Sequence, residues 1–142
     1  MNQSIQRVVV PEHQRMATVN QTFGLLWPLY IEPLIFHLAD TLAADYAGGM
    51  WTFYTLTDTG DGTGFYIAPD IDADFDVVCF GNQWEGTLSA DALGITCCLM
   101  AYSNLSFSKS EALGSLMAQH YHRLRTFMLG HPEVQAILGA TD

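Results

Sequence analysis

Residues 50–89 read MWTFYTLTDTGDGTGFYIAPDIDADFDVVCFGNQWEGTLS, and the periodicity of this stretch decides the fold. Met50 to Thr57 is rich in β-branched and aromatic side chains, which suit a pleated, half-buried surface. Asp58 to Gly64 is turn chemistry, and Phe65 to Pro69 resumes the strand composition. "DIDAD" at 70–74 reads as the next turn, Phe75 to Phe80 as a third strand, and Trp84 to Ser89 as a fourth that closes an antiparallel meander. No crossover of a dozen residues separates these runs, which argues against a parallel sheet.

Helical spacing brackets the strands. A short helix is expected from Pro11 to about Phe23, with the proline in its first turn. A second begins at Glu32-Pro33, places Ile35, Leu38, Ala39, Leu42 and Tyr46 on one side, and ends at Gly48-Gly49. Beyond the strands, Ser89 is placed to cap a helix whose first turn holds Asp91, near the positive end of the helix dipole. That helix is apolar on most sides through Leu105, so it should be buried. From Ser110 to Leu129 a stripe of Leu113, Leu116, Met117, His120, Leu124, Phe127 and Met128 marks an amphipathic helix. Gly130 stops it, Pro132 opens a last one, and His131 between them is expected to cap. The expectation is one α+β domain over residues 1–142, a small meander of three to four strands packed with four to five helices, after a loose polar lead at residues 1–7.

Fifteen acids against five bases give a formal charge of −10, and no lysine or arginine falls between Arg15 and Lys109. Eleven acids lie in that interval. Such a surface repels phosphate, so direct nucleic-acid or membrane binding is not expected, and a basic protein partner or simple solubility is favoured. Cys79, Cys97 and Cys98 are odd in number and sit in apolar surroundings, which predicts reduced core thiols in a cytoplasmic protein. The apolar run from Phe23 to Ile31 is broken by Pro28 and stopped by Glu32, short of the ~20 residues that a membrane span needs.

The alternation in "PDIDADFDV" at 69–77 would put Asp70, Asp72, Asp74 and Asp76 on one face if the whole segment were extended. As a calcium loop it fails, because Phe75 stands where glycine must turn and Gly81 where a bidentate glutamate is needed. "GDGTG" at 60–64 lacks a lysine and lies between strands, so it is a hairpin and not a phosphate cradle. "SFSK" at 106–109 lacks the companion motifs of serine acyl-enzymes. His120 shares an apolar stripe and reads as a satisfied core histidine, while His122, two residues on, points elsewhere. No nucleophile, base and orienter assemble, so no catalytic residue, metal site or cofactor is expected. A small metal-dependent hydrolase is the minor alternative.

Three blocks in order, "DYAGGMWTFYTLT…GFYIAP" at 45–69, "GTLSADALGITCCLMAYS" at 86–103 and "YHRLRTFMLGHPEVQAI" at 121–137, resemble the ArdB/KlcA family of plasmid-borne antirestriction proteins. The resemblance implies a small α+β fold without known catalysis, and a role in conjugation: letting an incoming plasmid escape the type I restriction enzymes of the recipient. It supplies no active-site residues. On this footing the partner is the type I restriction–modification enzyme or its DNA-translocating complex, met by a monomer. Duplex DNA carries about twenty phosphates in ten base pairs, which a compact chain of charge −10 does not reproduce, so limited protein binding is favoured over full DNA mimicry. The surface expected to make the contact is Asp70, Asp72, Asp74 and Asp76, with Trp84, Glu85 and the Asp58/Asp61 turn as neighbours; the competing reading leaves these acids in water and Trp84 in the core.

Overall fold

A computed structural model describes residues 4–142. The chain runs β1 (Arg7–Val9), α1 (Arg15–Phe23), α2 (Glu32–Leu42), β2 (Trp51–Asp58), β3 (Thr63–Pro69), β4 (Asp74–Cys79), β5 (Trp84–Ser89), α3 (Ala90–Leu105), α4 (Glu111–Met128) and α5 (Val134–Thr141). The α+β class is as expected, but the meander is divided. One antiparallel sheet has the order β1–β2–β3, and β4 pairs with β5 in a separate ribbon.

The division has a local cause. Phe65 and Ile67 turn their main-chain groups away from β2, and helix α3 occupies that edge. The Tyr102 hydroxyl donates to the Phe65 carbonyl at 2.8 Å, and the Cys98 sulfur sits 3.5 Å from the Ile67 nitrogen and 3.6 Å from its oxygen. Residues 98 and 102 are one helical turn apart, so a single face of α3 substitutes for a strand. Gly94 permits the approach, since a Cβ there would stand 2.4 Å from the Ile67 oxygen. Covering a sheet edge in this way also removes a site for unwanted pairing.

α3 is buried on most sides from Ala90 to Tyr102, as its composition predicts, and all three cysteines are buried free thiols. Against it packs an aromatic cluster in which Phe65 meets Phe23 and Trp27 edge-on at 5.4 and 5.3 Å. From α2 and the turn before it, Ile31, Ile35 and Ala39 are fully enclosed, the two isoleucines stabilising the fold by about 1.5–3 kcal/mol each.

Ser89 and Ser110 cap α3 and α4 through bonds from the Ala92 and Leu113 amides. Helix α1 starts one turn later than expected, after a 3₁₀ turn at Glu12–Gln14, and Gly24 ends it at φ 62°. α2 stops at Leu42 rather than at Gly48-Gly49, because Ala43 turns extended and bridges to Val77. Tyr46, placed on the α2 stripe, lies beyond the helix and accepts a hydrogen bond from Trp51 Nε1 at 2.8 Å. The loose lead expected over residues 1–7 meets β1 at its last residue. Residues 1–3 lie outside the described residues, while Arg7 already pairs with Leu56, and the Gln6 carbonyl accepts from the Thr57 amide.

Candidate interaction surface

The β4–β5 register sets Asp74 opposite Ser89, Asp76 opposite Thr87 and Val78 opposite Glu85. Directly opposed residues share a face, so the outer side of the ribbon carries Asp74, Asp76, Glu85 and Thr87, all exposed, with Val78 half-buried. Phe75, Val77, Cys79 and Leu88 point the other way into the core. Among the described residues, the one side-chain hydrogen bond to an outer acid comes from the Thr87 hydroxyl, which donates to Asp76 at 3.3 Å.

Trp84 does not join the acids. It pairs with Cys79, a core-side position, and lies so close over Gly86 and Gly139 that a Cβ at either would come within 2.5 and 2.3 Å of its ring. Its place is therefore between the ribbon and α5, on the opposite side from Glu85. The row of four aspartates is likewise interrupted. Asp70 and Asp72 belong to the turn between β3 and β4, where the Asp70 amide donates to the Met50 carbonyl at 2.8 Å, and only Asp74 and Asp76 stand on the strand. The two turn acids share a cleft with Arg7, Thr52 and Tyr54.

Asp58 and Asp61 sit at the far end of β3, a strand of seven residues that spans about 20 Å. Asp58 accepts from the Gly60 and Gly62 amides at 2.9 and 3.3 Å, which shapes the hairpin. Arg123 of α4 reaches beneath this turn, donating to the Asp61 carbonyl at 2.9 Å with its Nε 3.5 Å from the Asp61 carboxylate. Gly62, at φ 133°, leaves room for that guanidinium. The expected surface thus separates into an outer ribbon face, a neighbouring turn and a remote hairpin whose charge is met internally.

Sequence reasoning missed a polar network centred on Asp91. One carboxylate oxygen accepts from Arg7 at 2.5 Å and from the Tyr66 hydroxyl at 2.8 Å, and the other lies 2.8 Å from His131 Nε2. His131 Nδ1 accepts the Glu133 amide at 3.0 Å, which fixes the Nε2–H tautomer toward Asp91. It does not cap α5 as expected, because that helix starts at Val134, two residues after Pro132, with Glu133 at its N-cap and no side-chain cap bond. Glu133 in turn accepts from the amide and hydroxyl of Ser89. Burial alone would raise the Asp91 carboxyl, but hydrogen bonds from His131 and Tyr66 and the Arg7 charge outweigh it, leaving its pKa below the usual value. The network ties β1, β3, α3 and the α4–α5 turn together. Its only sequence signal is an acid in a first turn, because the partners lie 84, 25 and 40 residues away.

His120 is 2% exposed and packs against Phe23 at 4.7 Å, but its Nδ1 has no partner, so the core histidine is not satisfied as expected. Burial, aided by Arg123 and opposed by Asp61, lowers its pKa to about 4, which keeps it neutral. Among the described residues, no three His, Cys, Asp or Glu side chains converge to hold a metal ion, and no helix is by itself long and apolar enough to cross a membrane.

Residues 44–142, which hold the ribbon and most of the Asp91 network, match the family model described as antirestriction protein. The chain belongs to the antirestriction family. Among its members, an antirestriction protein KlcA of Escherichia coli is 36% identical over 143 residues, covering 99% of this chain and 97% of the relative. YafX of E. coli strain K12 is 38% identical, covering 94% and 85% of the two chains. A solved structure of the KlcA/ArdB family superposes with a TM-score of 0.87 at 35% identity over 100% of both chains. KlcA and ArdB are described there as having a novel fold and antirestriction activity against type I DNA restriction systems in vivo but not in vitro.

Proposed function

We propose that the protein relieves type I restriction of incoming plasmid DNA by binding a protein of the restriction machinery, without catalysis. The family match over residues 44–142 and the full-length likeness to the KlcA/ArdB structure support the biological role. The observation that carries the mode of action is the outer ribbon face, where Asp74, Asp76 and Glu85 stand exposed with no basic side chain among the described residues within ion-pairing distance. Such a face suits a basic protein surface. It does not suit wholesale DNA mimicry: alternate residues on a strand repeat at about 6.7 Å, whereas duplex DNA presents a charge about every 1.7 Å.

Activity of the KlcA and ArdB proteins in vivo but not in vitro favours a target present in the working cell, namely the DNA-translocating complex, over the isolated restriction enzyme. Within the expected surface, Asp70 and Asp72 are placed to extend the contact, whereas Asp58, Asp61 and Trp84 serve the fold. The protein acts in the cytoplasm as a monomer on this reading. Plating of unmodified phage on cells with a type I system, with and without the protein, tests it. Relief is the expected result, and undiminished restriction contradicts it.

A further inference from the structure

We infer that Phe80 is the aromatic anchor of the ribbon surface and that its occupant is a segment of a basic protein, apolar at its centre and flanked by lysine or arginine. The identity of the machinery rests on the antirestriction reading; the contact itself does not. Phe80 follows β4 directly and opens the turn at the tip of the ribbon. Its side chain is 79% exposed. Sequence reasoning chose Trp84 for this part, but Trp84 is spent between the ribbon and α5, and Phe80 is the exposed aromatic at the ribbon tip.

The tip is held in place. Asn82 Nδ2 donates to the Gly139 and Ala140 carbonyls at 3.1 Å each, its Oδ1 accepts the Trp84 amide at 3.0 Å, and Gln83 takes φ 60° to close the turn. An aromatic on a pinned turn loses little freedom on binding. Phe80 itself lines a groove with Leu42, Cys79, Met100, Ala140 and Asp142. An exposed aromatic beside this recess, with Asp142 in the lining and Glu85 in the ribbon pair next to the last, has the make-up of an interface centre with a charged rim.

Charge selects the occupant. Neither the groove nor the ribbon contains a lysine or arginine, so nucleic-acid phosphates are repelled. A second copy of the chain would bring the same acids face to face. A basic segment with an apolar centre satisfies both features at once. The exposed Met16 on α1 is a useful contrast, since its cleft mixes Glu12 and Glu32 with Arg15 and therefore gives no such selection.

The test combines relief of restriction with photo-cross-linking in cells that carry a type I system. Phe80→Ser should lower relief at least tenfold with an unchanged melting temperature, Phe80→Trp should keep it within about threefold, and Met16→Ser should leave it unchanged. A benzoylphenylalanine at position 80 of the full chain should cross-link to a segment whose sequence is rich in lysine or arginine. Full relief by Phe80→Ser overturns the inference. So does a cross-link found only to nucleic acid or to another copy of the chain, or no cross-link at all. If the unaltered chain gives no relief, the antirestriction reading fails, and the cross-link alone decides the Phe80 contact by the same outcomes.

Discussion

Asp91 receives Arg7, the Tyr66 hydroxyl and His131, and Asp61 receives Arg123, whereas Asp74, Asp76 and Glu85 on the ribbon meet no base among the described residues. Every ion pair among the described residues falls on the first group, although the chain has acids to spare. With only five basic residues, the fold places Arg7 and Arg123 where they close a sheet edge and a hairpin, and leaves the ribbon charge open to solvent or a partner. The difference separates acids that hold the fold from acids that are available to something else, a distinction that net charge alone conceals.

The largest expected effect concerns the paired side. His120 has a pKa of about 4 when folded against an ordinary 6.5, so the unfolded chain binds the extra proton between those values. Stability is therefore lost as pH falls from about 6.5 to 4, by about 3 kcal/mol from this group alone. Urea titrations of the unaltered protein and His120→Leu across that window should show the difference as a flatter profile for the variant. Parallel profiles would mean that His120 is already charged or solvated in the fold.

Next in size, Asp91→Ala should cost about 2–3 kcal/mol by urea denaturation, because it strands Tyr66, His131 and Arg7 together. The effect stays below that of a fully buried pair because the Asp91 side chain is 26% exposed. The same change at Asp76 should stay within about 0.5 kcal/mol. Equal costs at the two positions would erase the contrast. Gly62→Ala should cost about 1–2 kcal/mol, since alanine is strained at φ 133° and its Cβ would displace the Arg123 guanidinium.

Much of the fold was legible in the sequence because it is written in short-range chemistry. The change of period at Met50, the caps Ser89 and Ser110, and the even apolar cover of α3 each act within one or two turns of chain. The divided sheet was not legible. Whether β4 joins β3 depends on Cys98 and Tyr102 reaching the Phe65–Ile67 edge, 31 and 37 residues away. For the candidate surface, the acids were visible as a run, but their faces were not, because the turn at Asp70–Ala73 resets the alternation before Asp74. Trp84 was misplaced for the same reason: only the ribbon register and its contact with Gly139 show that it faces α5 and not the acids.

The smallest expected effect on stability accompanies the most informative effect on function. Asp74→Asn, Asp76→Asn and Glu85→Gln combined should leave unfolding free energy within about 0.5 kcal/mol, since all three side chains are exposed and make no ion pair among the described residues. Plating unmodified phage on type I restricting cells that express either the unaltered chain or this triple variant tests the central claim directly. Relief by the unaltered chain and its loss in a variant that melts at the same temperature is the predicted result. Equal relief by both would contradict the assignment of the ribbon as the inhibitory surface.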